Sequence, residues 1–114
     1  MSNSSIFTKI IEREIPADIV FENDSVIAFK DIAPKAPVHL LVVPKTAEYR
    51  DVTQLAAADP AGLAELVRVA AALAQEHADG SYRLVFNTGE NAGQTVPHVH
   101  AHVLTGGFTE ETLG

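Results

Sequence analysis

The chain has 114 residues, 46% of them apolar, which suits one domain over positions 1–114 built on one core. Fifteen acidic against eight basic residues give a net charge of −7, which argues against a nucleic-acid backbone or an anionic membrane as partner but leaves room for a small anionic ligand met by local donors. Cysteine is absent, so neither disulfide nor thiolate chemistry is available; no apolar run approaches the ~20 residues of a membrane span, and Met1–Ser5 has no leader character, so a soluble, cytoplasmic protein is expected.

Ser4 or Ser5 suits a helix N-cap, and Ile6, Phe7, Ile10 and Ile11 then share a face, so a short helix is predicted that Pro16 closes. Positions 18–22 and 25–30 read as two strands of a hairpin, with Asn23-Asp24 as a turn because both residues tolerate positive φ. Positions 31–37 form a loop set by Pro34 and Pro37. The apolar run 38–43 then reads as a central strand, with His39 near its start and Pro44 at its close. Positions 45–54 show no period and are expected to be loop with at most one helical turn. Asp59-Pro60 opens a long helix, since an acid N-cap followed by proline at the first helical position is a start signal. Its stripe of Leu63, Leu66, Val67, Ala70, Leu73 and Ala74 must cover a sheet, Gly80 stops it, and His77 near its C-terminus suits the helix dipole as a structural residue. Positions 82–87 form the next strand, 88–95 a polar glycine-bearing loop, and no pattern is evident after Gly106-Gly107. The fold class is α+β: about five strands, mostly antiparallel, with one long helix and a short N-terminal helix.

The segment Pro97-His98-Val99-His100-Ala101-His102-Val103-Leu104 organises the rest. In a strand its three histidines would line one face and Val99, Ala101 and Val103 the other. A solvated strand face could be filled by Thr, Lys or Glu; imidazole suggests chemistry near neutral pH. Three readings compete. In the first, histidines ligate zinc. The outer two Cα atoms of such a strand lie about 13 Å apart, too far for all three to share one ion, although two could converge with His39. In the second, one neutral imidazole with a fixed tautomer attacks phosphorus or an acyl carbon while its neighbours handle charge and protons. In the third, the same donors form a non-catalytic nucleotide-binding module. The loop before the histidines offers main-chain N–H, hydroxyl and amide donors suited to phosphate oxygens.

The segment His98–Leu104 matches the histidine-triad signature His-φ-His-φ-His-φ-φ in full. The blocks 6–17, 29–34, 36–45 and 92–97 resemble the corresponding segments of the Hint branch of the histidine triad (HIT) superfamily, so the resemblance runs from about Ile6 to Leu104. It implies a purine nucleoside phosphoramidase that hydrolyses adenosine or guanosine 5'-monophosphoramidates to nucleoside monophosphate and amine, as a homodimer; no cofactor is expected, and no metal, because the three histidines span too far for a single ion. Related branches hydrolyse dinucleoside polyphosphates or transfer nucleotidyl groups. The resemblance makes His100 the nucleophile that forms a nucleotidyl-histidine, with His98 and His102 flanking it and His39 as a fourth histidine. It makes Thr95 both a phosphate contact and, beside a triad histidine, a candidate proton source for the departing amine. Asn87, Gly93 and Gln94 match phosphate-binding positions, Asp31 the acid that holds the ribose hydroxyls, and Phe7, Ile10, Ile15, Phe29 and Ile32 the walls of the base pocket. Thr95 stands where many relatives carry serine, Lys30 where some carry histidine and Pro97 where an aromatic is common. The ending 108–114 lacks the Trp-Pro-Pro type of tail that helps shape the leaving-group side in some members.

Overall fold

The computed structural model describes residues 5–108. Helix α1 spans Ile6–Ile11, and strands β1 (Ile19–Glu22), β2 (Val26–Lys30) and β3 (Val38–Pro44) follow. Helices α2 (Val52–Ala58) and α3 (Pro60–His77) come next, then β4 (Arg83–Val85), a 3₁₀ turn (Glu90–Ala92) and β5 (Ala101–Thr105). Among the described residues the strands form one five-stranded sheet in the order β1-β2-β3-β5-β4, antiparallel at every junction, so the expected α+β class is the observed one.

Strand alternation gives the sheet two different faces. Val26, Ala28, Leu40, Val42, Ala101 and Val103 point to the side covered by α3, where Leu66, Val69, Ala70, Leu73 and Ala74 close the main core. Ile27, Phe29, Leu41 and Val43 point the other way and are covered by Phe7 and Ile10 of α1. The short α1 therefore roofs only part of its face. His39 on β3 and His102 on β5 share that face by register, since His39 pairs with Leu104 and His102 with Leu41.

Several local expectations need correction. The first helix ends at Ile11 rather than at Pro16. Arg13 adopts φ 66°, unusual for a non-glycine residue, and Glu14 N–H reaches back to Lys9 O while Arg13 N–H bonds Ile10 O, so the chain closes in a Schellman turn. The Arg13 guanidinium donates to the Ile10 carbonyl and pairs with Glu22, which holds that conformation. The 23–24 turn uses no positive φ. Asn23 Oδ1 instead accepts from the N–H groups of Ser25 and Val26, at 2.8 Å each. Helix α2 begins inside the 45–54 stretch expected to be loop with at most one helical turn and runs on to Ala58; Asp51 caps it by accepting from Gln54 N–H. Strand β4 is only three residues long, and β5 begins at Ala101, so His98 and His100 precede it. The tail beyond 108 lies outside the described residues.

Candidate functional site

His98 and His100 lie just ahead of β5, His98 in a bend, yet the alternation holds: Val99, Ala101 and Val103 enter the α3 core and the histidines turn away from it. His98 is sealed, 1% exposed. Its Nε2 lies 2.8 Å from Pro44 O, and its Nδ1 lies 3.0 Å from Ser5 Oγ and 3.4 Å from Thr8 Oγ1. A main-chain carbonyl can only accept, so His98 carries its proton on Nε2 and its Nδ1 accepts from a hydroxyl. The side chain thus ties the first turn of α1 to the end of β3.

His100 Nδ1 lies 2.8 Å from His98 O, which puts the proton on Nδ1 and leaves the Nε2 lone pair free. The ring is buried, edge-on to Phe7 with centroids 4.8 Å apart and 5.3 Å from the ring of His102. His39, 6% exposed, accepts the Lys35 N–H at Nδ1 (3.0 Å). Its proton is therefore on Nε2, which lies 2.9 Å from His102 Nδ1 and 3.4 Å from Asp31 Oδ2. His102 then accepts at Nδ1 and carries its proton on Nε2. Burial is the first cause that lowers the pKa of all four imidazoles, and the neighbouring His100 and His39 help push His102 down to about 4.

Asp31, His39 and His102 present ligand atoms within 4.8 Å of one another, a donor set that would suit a transition-metal ion. The hydrogen bonding opposes it. A ligating histidine donates its other N–H to a fixed acceptor, whereas His39 faces the Lys35 N–H with Nδ1 and so keeps a proton on the nitrogen that would ligate. As hydrogen-bonded here, these residues do not fit a metal centre.

A cavity of about 690 Å³ runs across the unroofed sheet face. Asp31, His39, His102 and Asn87 line it together with Arg83 and Phe108, whose guanidinium and ring stack 4.2 Å apart. The structure does not bring every expected residue here. Thr95, exposed, lines a separate cavity of about 610 Å³ with Arg50 and Gly89. Gln94 is buried and its amide is already engaged: Oε1 accepts from Gly89 N–H, and Nε2 donates to Arg50 O and Val96 O, bracing the loop. Gly93, at φ 93°, has open space where a side chain would point. Phe7, Ile10 and Phe29 are buried beside the histidines and Ile15 packs at their edge, but Ile32 is 96% exposed and walls nothing in this state. Sequence reasoning missed the main-chain groups of Lys35, Pro44 and His98, which leave no side-chain signature, and the hydroxyl of Thr8 against His98. His77 ends α3 as expected, its Nε2 buried and without a partner among the described residues.

Comparison with known proteins places these features. The HIT domain family model matches residues 12–109. An Escherichia coli purine nucleoside phosphoramidase is 43% identical over 108 residues, covering 93% of this chain and 90% of the relative. An uncharacterised HIT-like protein of Synechococcus elongatus is 50% identical over 107 residues, covering 93% of each chain. The crystal structure of a HIT family hydrolase from Legionella pneumophila superposes with a TM-score of 0.89 at 39% identity, covering 97% of this chain and all of that one.

Proposed function

Because the chain belongs to the HIT domain family, we propose that it is a purine nucleoside phosphoramidase, releasing nucleoside monophosphate and an amine from adenosine or guanosine 5'-monophosphoramidates through a nucleotidyl-His100 intermediate. The observation that supports this most is His100 itself: Nδ1–H is spent on His98 O, burial keeps the ring neutral, and its Nε2 lone pair is left over on a ring whose centroid lies 5.3 Å from that of His102, a residue that lines the cavity. The name of the Escherichia coli relative supports the choice of phosphoramidate over other phosphoryl substrates.

In the proposed reaction the Nε2 lone pair of His100 attacks the α-phosphorus and the P–N bond breaks. The departing nitrogen takes up one proton and leaves as the amine. The His98 carbonyl stabilises the positive charge that the ring acquires. Water then attacks phosphorus, frees His100 and yields the monophosphate and one proton, so the two half-reactions balance. Asp31 accepts the ribose hydroxyls, the apolar side chains of Phe7, Ile10, Ile15 and Phe29 pack on the base, and Ile32 closes over it when substrate enters. Asn87, Gly93 and Thr95 donate to phosphate oxygens as the 88–95 loop settles on the nucleotide, and Gln94 braces that loop. The active form is a homodimer in the cytoplasm, a reading supported by the place of β4 at an edge of the sheet, where a second copy could pair. The test is turnover of adenosine phosphoramidates against a dinucleoside polyphosphate on the same preparation. Cleavage confined to the dinucleotide would replace this reading with that of a related branch.

A further inference from the structure

We infer that His102 serves the substrate as a neutral hydrogen-bond donor, through Nε2–H, and does not deliver a proton to the departing amine. The ground is a chain of hydrogen bonds that begins at the main chain. The Lys35 N–H can only donate, so His39 Nδ1, 3.0 Å away, must be its unprotonated nitrogen. His39 then holds its proton on Nε2, between His102 Nδ1 at 2.9 Å and the Asp31 carboxylate at 3.4 Å, both acceptors. His102 is left with one proton, on Nε2. As an acid it would need a second proton on Nδ1, and that proton would face the His39 N–H across 2.9 Å. Moving the His39 proton to Nδ1 would relieve the clash only by setting that N–H against the Lys35 N–H, and turning the ring over would put carbon in place of nitrogen at both contacts.

The turn that starts this chain is stiff. Pro34 and Pro37 have fixed φ, and Asp31 Oδ1 accepts the Ala33 N–H at 2.8 Å. The Pro37 ring sits against Gly106, where an added Cβ would lie 2.8 Å from it. His39 is 6% exposed, so solvent cannot readily substitute for either partner. Lys35 therefore acts as a positioning residue through its main-chain amide, whatever its side chain. The Nε2–H of His102 is a preset donor at the edge of the cavity, placed to bind a phosphate oxygen as charge builds there. The proton for the amine must come from another source, the Thr95 hydroxyl or water.

The activity part of this inference rests on the phosphoramidate reading; the tautomers do not. Imidazole ¹⁵N spectra of the ligand-free wild type should show Nδ1 of His39 and of His102 as lone-pair nitrogens and both Nε2 atoms as N–H. The reverse pattern, or a doubly protonated His102 at neutral pH, would overturn the inference even if phosphoramidates turn over. In turnover, His102→Gln, which keeps an N–H donor but cannot act as an acid, should stay within about tenfold of wild-type kcat. His102→Ala should lose about a hundredfold, the scale of one preorganised donor. Equal, hundredfold losses in both folded variants would return the proton-donor role to His102. Should wild type leave every phosphoramidate intact while the spectra agree, the reaction assignment fails and the neutral-donor geometry stands.

Discussion

Burial holds the His100 imidazole neutral below the pH at which a free histidine takes up its proton, and a nucleophile must be neutral to attack. The acid limb of kcat/KM should therefore fall with an apparent pKa below the ordinary 6.5; a limb at or above 6.5 would contradict the buried, neutral ring. Stability follows the same sign. The unfolded chain protonates its histidines as pH drops through about 6.5, whereas the folded chain resists until lower pH, about 4 for His102. Native stability should thus decline as pH falls between those values, as read by urea unfolding at pH 7 and pH 4.5; equal stability at both would contradict the lowered values. Asp31 has two duties to separate: its Oδ2 faces His39, and it is proposed to hold the ribose. Asp31→Asn should raise KM for a ribonucleotide substrate about tenfold and leave a 2',3'-dideoxy analogue nearly unchanged. Equal rises for both would remove the ribose contact and leave only the bond to His39. At this scale the sequence showed the side chains and not their states. His98, His100 and His102 were legible by type and spacing, whereas His39 and Asp31 gained their roles only through the resemblance to the Hint branch. Their protonation states depend on carbonyl and amide groups at Pro44, His98 and Lys35, which every residue type presents alike.

Helix α1 is six residues long, too short to persist on its own, so packing and its cap must hold it. Ser5 does both jobs: its Oγ accepts the Thr8 N–H and bonds His98 Nδ1. Ser5→Ala should lower stability by about 1 kcal/mol and loosen the Phe7 and Ile10 wall. KM for a purine substrate should rise a few-fold with kcat nearly unchanged; a fall confined to kcat would place α1 in the chemistry instead of in base binding. The α3 stripe and its Asp59-Pro60 start were legible because the apolar period ran through three turns and more. The start of α2 was not, since its seven residues bury Leu55 alone, too little to mark a period, and the Ala-rich composition from Leu55 onward does not say where one helix ends and the next begins. The end of α1 was misplaced for a related reason: an arginine at positive φ stopped the helix before the proline did, through bonds to Ile10 and Glu22 that local pattern does not encode.

For the whole molecule, the sheet order puts β3 in the centre and the three-residue β4 at an edge, with His102 only one strand from that edge. Pairing of a second copy along β4 would extend the sheet and shelter the part of the cavity lined by Arg83 and Phe108. Light scattering at micromolar concentration should therefore give twice the 12.2 kDa chain mass. A mass equal to one chain in a preparation with full turnover would show that each copy works alone. The α+β class and central strand could be read from apolar runs and turn residues. The strand order could not, because the pairing of β3 with β5 spans two helices and a hairpin strand that no local pattern links.

The central claim is that a nucleotidyl group passes through His100 Nε2. Wild type is mixed with a slowly hydrolysed adenosine phosphoramidate, quenched within the first turnover and mapped by peptide mass spectrometry under conditions that preserve phosphoramidate bonds. The account predicts an adenylyl group on His100 and none in a His100→Asn variant, which should bind nucleotide without turning over. An adduct on His98 or His102, or near wild-type turnover by His100→Asn, would contradict it.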